Sequence, residues 1–252
     1  MIKAINIHKK FDGNHVLRGL NLNVKRGESL VILGGSGSGK SVLLRHLVGL
    51  HKPDDGQILV DDVDIGKLSL KELFRFRRRF GMSFQEGALF DSMNAFDNIA
   101  FPVRRCDSKI PPAKVKARVE ECLEMVGMPG VGKLMPSQMS GGMRRRVGFA
   151  RAIALRPEIL LFDEPTTGLD PIMTSVLNNV IRNLSVQLHT TTITITHDLT
   201  SAQTIADRVA MLFQGKVILI DEMKDFFETD NEIVRQFIEG RAEGPATEAL
   251  IK

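Results

Sequence analysis

The stretch GGSGSGKS, Gly34 to Ser41, follows the apolar run Leu30 to Leu33 and precedes VLLRHLVGL, Val42 to Leu50. It fits G-x-x-x-x-G-K-[ST] at every fixed position, through Gly34, Gly39, Lys40 and Ser41, and the flanks predict the strand and helix that this motif requires. Glycines let consecutive backbone N–H groups close around phosphate oxygens without a Cβ clash, and a helix starting near Ser41 points its positive end at the same place. Gly34, Gly35, Ser36, Gly37, Ser38, Gly39, Lys40, Ser41 and Val42 are therefore expected around a nucleoside triphosphate. Lys40 is expected to reach the β- and γ-phosphates, and Ser41 a Mg²⁺ ion.

Outward from this loop the chain changes character twice. Before it, alternation at Ile5 and Ile7 and at Leu20, Leu22 and Val24, with turns at Asp12 to Asn14 and at Arg26-Gly27, predicts strands with one buried face. With a further strand at Gln57 to Val60, the opening region reads as antiparallel. After it come a charged helical pattern from Ser69 to Arg79 and a short strand from Phe80. A section from about Ala88 to Pro136 then has helical periodicity at Val115, Val119, Leu123 and Val126 and no clear strand. Beyond it, strand Ile159 to Phe162, helix Pro171 to Leu188, the β-branched run Thr190 to Thr196 and a hairpin from Val209 to Ile220 alternate as in a parallel α/β core. A last amphipathic helix is expected near Glu232 to Glu239, and the Gly/Pro/Ala-rich end is expected to fray.

The bulk numbers are permissive. A chain of 252 residues with 43% apolar content can bury a substantial core. No apolar run approaches the 18 or more residues of a membrane span, and the Met1 start lacks a signal-peptide pattern, so the chain itself is expected to be soluble. Cys106 and Cys122 have neither CxxC spacing nor a histidine cluster nearby, which points to free thiols. A formal charge of +4, with basic residues scattered apart from Arg75 to Arg79 and Arg144 to Arg146, allows nucleic acid as a partner without indicating it.

A phosphate loop alone leaves several enzyme classes open, and two further points choose among them. ILLF, Ile159 to Phe162, carries Asp163 and Glu164 to the C-terminal end of a strand, where open α/β sheets bind ligands. There Asp163 would hold Mg²⁺ through water, and Glu164 would orient and deprotonate an attacking water. Ser140, Gly141 and Gly142 open a helix, and a hydroxyl with two bare amides at a helix start is an anion receptor. One chain cannot easily bring that receptor onto a phosphate its own loop already surrounds. Two copies in head-to-tail apposition can, and would share two equivalent sites.

At this point the sequence resembles the ATP-binding-cassette (ABC) ATPases over about residues 2 to 220. The points fall in that family's order: an adenine-stacking aromatic at Phe11, the phosphate loop, Gln85, the signature Ser140-Gly141-Gly142, Asp163-Glu164, the turn Gly168-Leu169-Asp170 and His197. The resemblance implies an α/β P-loop NTPase fold of ABC type, with a mixed core sheet, an antiparallel β subdomain and an inserted helical subdomain at about 88–158. It places the ATPase domain at 1–221 and a helical extension and tail at 222–252. It implies that Gln85 senses Mg²⁺ and the attacking water, that His197 contacts the γ-phosphate and that Asp170 couples the two sites of a homodimer. His15 is the alternative to Phe11.

The signature departs from the commonest pattern at Met139 and Met143. SGGM followed by basic residues, DEPTTGLDPI at Asp163 to Ile172 and VRQFIEGRAEGP at Val234 to Pro245 resemble ATPases of maintenance-of-lipid-asymmetry type systems. That likeness implies ATP-driven phospholipid movement through an integral membrane permease, with an MCE-domain lipid-binding protein and a STAS-domain protein as partners. It implies a peripheral place on the cytoplasmic face of the inner membrane and no nucleic-acid partner. Leu89, Phe90, Met93 and Phe96 would either line a groove for a permease helix or belong to the core of the helical insertion.

Overall fold

The computed structural model describes residues 1–85 and 87–251, with the side chains of 250 and 251 outside the description. Two sheets organise the chain. The first joins β1 (Ile2–Phe11), β2 (Asn14–Val24), β4 (Asp55–Val60) and β5 (Val63–Asp64) in the order β2-β1-β4-β5, all antiparallel. The second joins β3 (Ser29–Leu33), β6 (Phe80–Ser83), β7 (Ile159–Asp163), β8 (Thr191–Thr196), β9 (Arg208–Phe213) and β10 (Lys216–Glu222) in the order β10-β9-β3-β8-β7-β6. Its strands run parallel except β10, which returns antiparallel to β9 along one edge.

β3, β7 and β8 are buried along their whole length, as strands covered on both faces must be. Alternate residues divide between two cores. Leu30, Ile32, Leu161 and Ile195 face α1 (Lys40–Leu47), Phe76 of α2 (Leu70–Phe76) and the antiparallel sheet. Val31, Leu33, Leu160 and Phe162 face a helical layer. That layer includes α3 (Ala95–Cys106), α4 (Pro112–Met125) and α5 (Gly141–Ile153), all between β6 and β7, and α6 (Pro171–Leu188). Phe149 of α5 meets Phe162 of β7 edge-on at 5.0 Å between centroids, which fixes the helix against the strand that carries Asp163.

The first strand departs from simple alternation. Ile7 is fully buried, but Ile5 is 37% exposed, and the inward set is Ile2, Ala4 and Ile7. Asn6 takes φ 50° and the pairing register shifts between Ala4 and Ile7, so an extra residue after Ala4 brings Ile7 inward and leaves Ile5 on the outer face. Opposite it, Gly56 has φ 88°, and a Cβ there would stand 2.3 Å from the Asn6 carbonyl oxygen. Only glycine fits that approach.

The end of the chain also departs from expectation. After α7 (Leu199–Ile205), α8 (Met223–Phe227) and α9 (Glu232–Glu239), residues Pro245–Ile251 form a further helix, α10, instead of fraying. The buried Gln236 side chain supplies the reason. Its Nε2 donates to Thr247 Oγ1 at 2.8 Å and to Arg241 O at 3.1 Å, while its Oε1 accepts from Ala246 N at 2.8 Å. Gln214 Nε2 then donates to Ala249 O at 2.6 Å. Lys252, the last residue of the expected tail, lies outside the described residues. Among the described residues no helix is long and apolar enough to cross a membrane.

Candidate functional site

A cleft of about 810 Å³ opens at the C-terminal ends of the parallel strands. Residues 35–42 form its floor, and Gln85, Glu164 and His197 stand around it. Gly37 and Gly39 take φ 74° and 105°, which turns the loop's amides inward, and a Cβ added at Gly35 or Gly37 would meet nothing within 4 Å. That open, amide-lined cradle fits a polyphosphate. Gly34 sits behind it, its would-be Cβ 2.4 Å from Leu212 O, so the loop packs against β9 through a second position where a side chain cannot fit.

The charged groups interlock. Lys40 is buried, and its Nζ donates to Gly34 O at 2.7 Å and Gly35 O at 3.0 Å and lies 3.5 Å from Glu164 Oε1. Ser41 Oγ donates to Asp163 Oδ1 at 3.0 Å. Burial pushes the Asp163 carboxyl above the usual Asp range and the neighbouring Glu164 charge adds to this, while the Ser41 hydrogen bond opposes it. A hydroxyl and a desolvated carboxylate side by side form the oxygen set that a hard divalent cation takes together with phosphate and water. Among the described residues no three His, Cys, Asp or Glu side chains gather as a metal cluster, so such an ion would draw its other ligands from the nucleotide and solvent.

Glu164 is held on every side. Its backbone takes φ 48°, in the left-handed region that non-glycine residues avoid, and its N–H donates to Ile195 O at 3.0 Å. Its Oε2 accepts from Thr167 Oγ1 at 3.0 Å and faces His197 Nδ1 at 2.9 Å. Since a carboxylate only accepts, the Nδ1 of His197 carries the proton. A carboxylate so fixed can orient a water and accept its proton.

Other expected residues lie elsewhere. Ser140 caps α5, its Oγ accepting from Met143 N at 3.3 Å, and neither it nor Gly141 nor Gly142 lines the cleft. Asp170 caps α6, accepting from Met173 N at 2.9 Å, and is also outside the cleft. Phe11 is not part of the lining. Its ring stands edge-on to His51 at 5.6 Å with Lys9 Nζ 5.3 Å from its centre. His15, stacked on His8, lines the adjoining cleft beside residues 35–38.

Sequence reasoning missed Val16, Thr167, Leu199 and Phe237, which line the main cleft. Thr167 lies three residues beyond Glu164 on the same turn and could have been found from that spacing. Phe237 comes from α9, and nothing local marks it. Also missed was the buried Arg145 of α5, whose Nε donates to Gln85 O at 3.0 Å and whose Nη2 donates to Thr167 O.

The comparisons with known proteins agree with this geometry. Residues 17–167 match the ABC transporter family. Over 244 residues the chain is 41% identical to a probable ribonucleotide transport ATP-binding protein, mkl, of Mycobacterium leprae, covering 97% of this chain and 70% of the relative. It is 40% identical over 245 residues to the intermembrane phospholipid transport system ATP-binding protein MlaF of Haemophilus influenzae, covering 97% and 92%. Its fold superposes with a TM-score of 0.81, at 31% identity over 88% of this chain and 99% of the other, on the dimeric post-hydrolysis state of the ATP-binding cassette MJ0796 bound to ADP and Pi. With a phosphate loop and an acidic strand end on one parallel sheet and a signature turn opening α5, the chain belongs to the ABC transporter family as an ATP-binding and ATP-hydrolysing cassette.

Proposed function

We propose that this chain is the motor subunit of a phospholipid transport system, working as a head-to-tail homodimer that closes over two ATP molecules with Mg²⁺. The observation that carries the chemistry is Glu164, pinned through Oε2 by Thr167 and His197 beside the Ser41–Asp163 pair. Gly35 to Ser41 and Lys40 bind the phosphates. Glu164 orients a water, accepts its proton as the oxygen attacks the γ-phosphorus, and ADP departs with the bridging oxygen. Mg²⁺, held by Ser41 and Asp163 with Gln85 nearby, would neutralise charge on the phosphate oxygens. His197 contacts the γ-phosphate.

Ser140, Gly141 and Gly142 of one copy complete the partner's site, with Asp170 next to the joint. This explains why these residues cap helices away from the cleft of their own chain. Phe11 or His15 serves the adenine. The unit formed by residues 1–221, with helices inserted at about 88–158, would carry the reaction, and 222–252 would act as an extension.

For the permease, a groove of about 360 Å³ lies between β6, the segment after it and α3, with Phe84, Phe90 and Phe101 exposed along it. Of the four apolar residues considered for such a groove, Phe90 lines it, whereas Leu89 and Phe96 pack on the helical core. Attachment there would place the chain peripherally on the cytoplasmic face of the inner membrane, with MCE-domain and STAS-domain proteins in the same assembly. The arginine clusters lend little to a nucleic-acid reading. Arg77 donates to Val48 O and Gly49 O, Arg79 to Asp61 and Glu158, and Arg146 to Gly127 O.

Phospholipid as cargo is supported by the likeness to MlaF over 97% of this chain. A ribonucleotide is the second reading, favoured by the name of the mycobacterial relative. Tagged protein isolated with its native membrane partners decides between them: phospholipid bound stoichiometrically to the complex supports the first, and bound ribonucleotide on the transport subunits supports the second. For the chemistry, Glu164→Gln is expected to keep ATP affinity and lose on the order of 10²-fold or more in turnover. Unchanged hydrolysis would remove Glu164 from its role.

A further inference from the structure

Burying a guanidinium costs several kcal/mol unless its N–H groups are well placed, so the partners of a buried arginine show what it is for. Arg145 is 8% exposed and extends from α5 to two segments that do not otherwise share a helix. Its Nε donates to Gln85 O at 3.0 Å and its Nη2 to Thr167 O, both residues of the cleft lining. Thr167 then donates through Oγ1 to Glu164 Oε2 at 3.0 Å. From these contacts we infer that Arg145 is a positioning residue for hydrolysis: from the signature helix it sets the Glu164 carboxylate against Gln85, acting through Thr167. The inference rests on Glu164 being the proton acceptor.

The packing around Arg145 makes this link stiff. A Cβ on Gly148 would stand 2.9 Å from Gly87 Cα, so α5 and the segment after Gln85 touch backbone to backbone. Arg151, further along α5, donates to Gly87 O at 2.8 Å and Ala88 O at 2.9 Å. These contacts bind α5 to the segment at Gly87 and Ala88; Arg145 also reaches Thr167. A planar fork is required, because two carbonyls in different directions need donors on separate nitrogens. Lysine offers one point charge and cannot span them.

The test compares Arg145→Lys and Arg145→Gln in the full chain, alone and combined with Thr167→Val. Arg118→Lys serves as a structural control, since Arg118 binds Ala154 O and Ile153 O at the far end of α5 and touches no cleft residue. Both Arg145 variants are expected to lose roughly tenfold or more in kcat while KM and the dissociation constant for fluorescent ATP stay within about twofold. Adding Thr167→Val should cost little further, because both changes cut one chain of contacts. Arg118→Lys should lower the melting temperature and leave kcat alone. Additive losses for Arg145 and Thr167, a change in KM matching that in kcat, or Arg145 variants that do not fold would each overturn the inference. If Glu164→Gln keeps full turnover, it is the assignment of the base that fails; if Glu164→Gln is inactive and Arg145→Lys is normal, only the link through Arg145 fails.

Discussion

The two glycine-bearing turns proposed to hold phosphate are built from similar parts and sit in opposite circumstances. The turn at Gly34 to Ser41 is folded into a cleft with Lys40, Asp163, Glu164 and His197, and each of those side chains has a named partner within the same chain. The turn at Ser140 to Gly142 has a hydroxyl and a helix start but touches none of that cleft, and its serine caps its own helix. In the proposed dimer one half of the catalytic site lies within the chain, and the other half is lent to a partner through the exposed Ser140. On that proposal the energy of closing the second half over the nucleotide would be available only when two copies meet.

Mutations should separate the halves. The largest effect is expected at Lys40. Lys40→Ala removes a buried cation from the phosphate cradle and should weaken ATP binding by an isolated chain about ten- to a hundredfold, read by titration with a fluorescent nucleotide. Ser140→Ala should leave that single-chain affinity untouched and lower steady-state turnover by roughly tenfold, one hydrogen bond to a charged group being lost across the joint. Equal damage to single-chain binding by both variants would erase the distinction.

Much of the inner half is legible in the sequence because its chemistry is local. Gly34 to Ser41, Asp163 with Glu164, and His197 each end or follow a buried strand, and parallel pairing brings strand ends together. What resists reading depends on contacts distant in sequence. Ile5 and Ile7 fall on opposite faces because of the extra residue at Asn6 with its positive φ, and no alternation pattern encodes that. Leu89 and Phe90 are neighbours of like polarity, yet one packs in the core and the other lines a groove. The α10 helix depends on the buried Gln236 amide, which in sequence looks like any surface glutamine.

Two smaller effects on stability sharpen the comparison, one from outside the cleft and one from beside its floor. Gly56→Ala, in the antiparallel sheet, forces a Cβ to within 2.3 Å of Asn6 O and should cost about 1–3 kcal/mol of stability by denaturant titration, with turnover per folded molecule unchanged. Asp163→Asn should do the reverse. The folded chain holds this carboxyl above its unfolded pKa, so its contribution to stability is most favourable below the ordinary Asp range and is lost as pH rises through the raised value. At neutral pH the neutral amide should therefore raise the melting temperature, the gain narrowing to nothing in acid, while Mg²⁺-dependent hydrolysis disappears. A lowered melting temperature at neutral pH would show that the buried carboxylate is stabilising.

The division into an inner and an outward half is tested most directly by sedimentation of Glu164→Gln protein loaded with Mg-ATP. Two-chain particles should form with ATP, vanish without it, and vanish again when Ser140→Ala is added. Single chains at every ATP concentration, or pairs that ignore the loss of the Ser140 hydroxyl, would contradict the account.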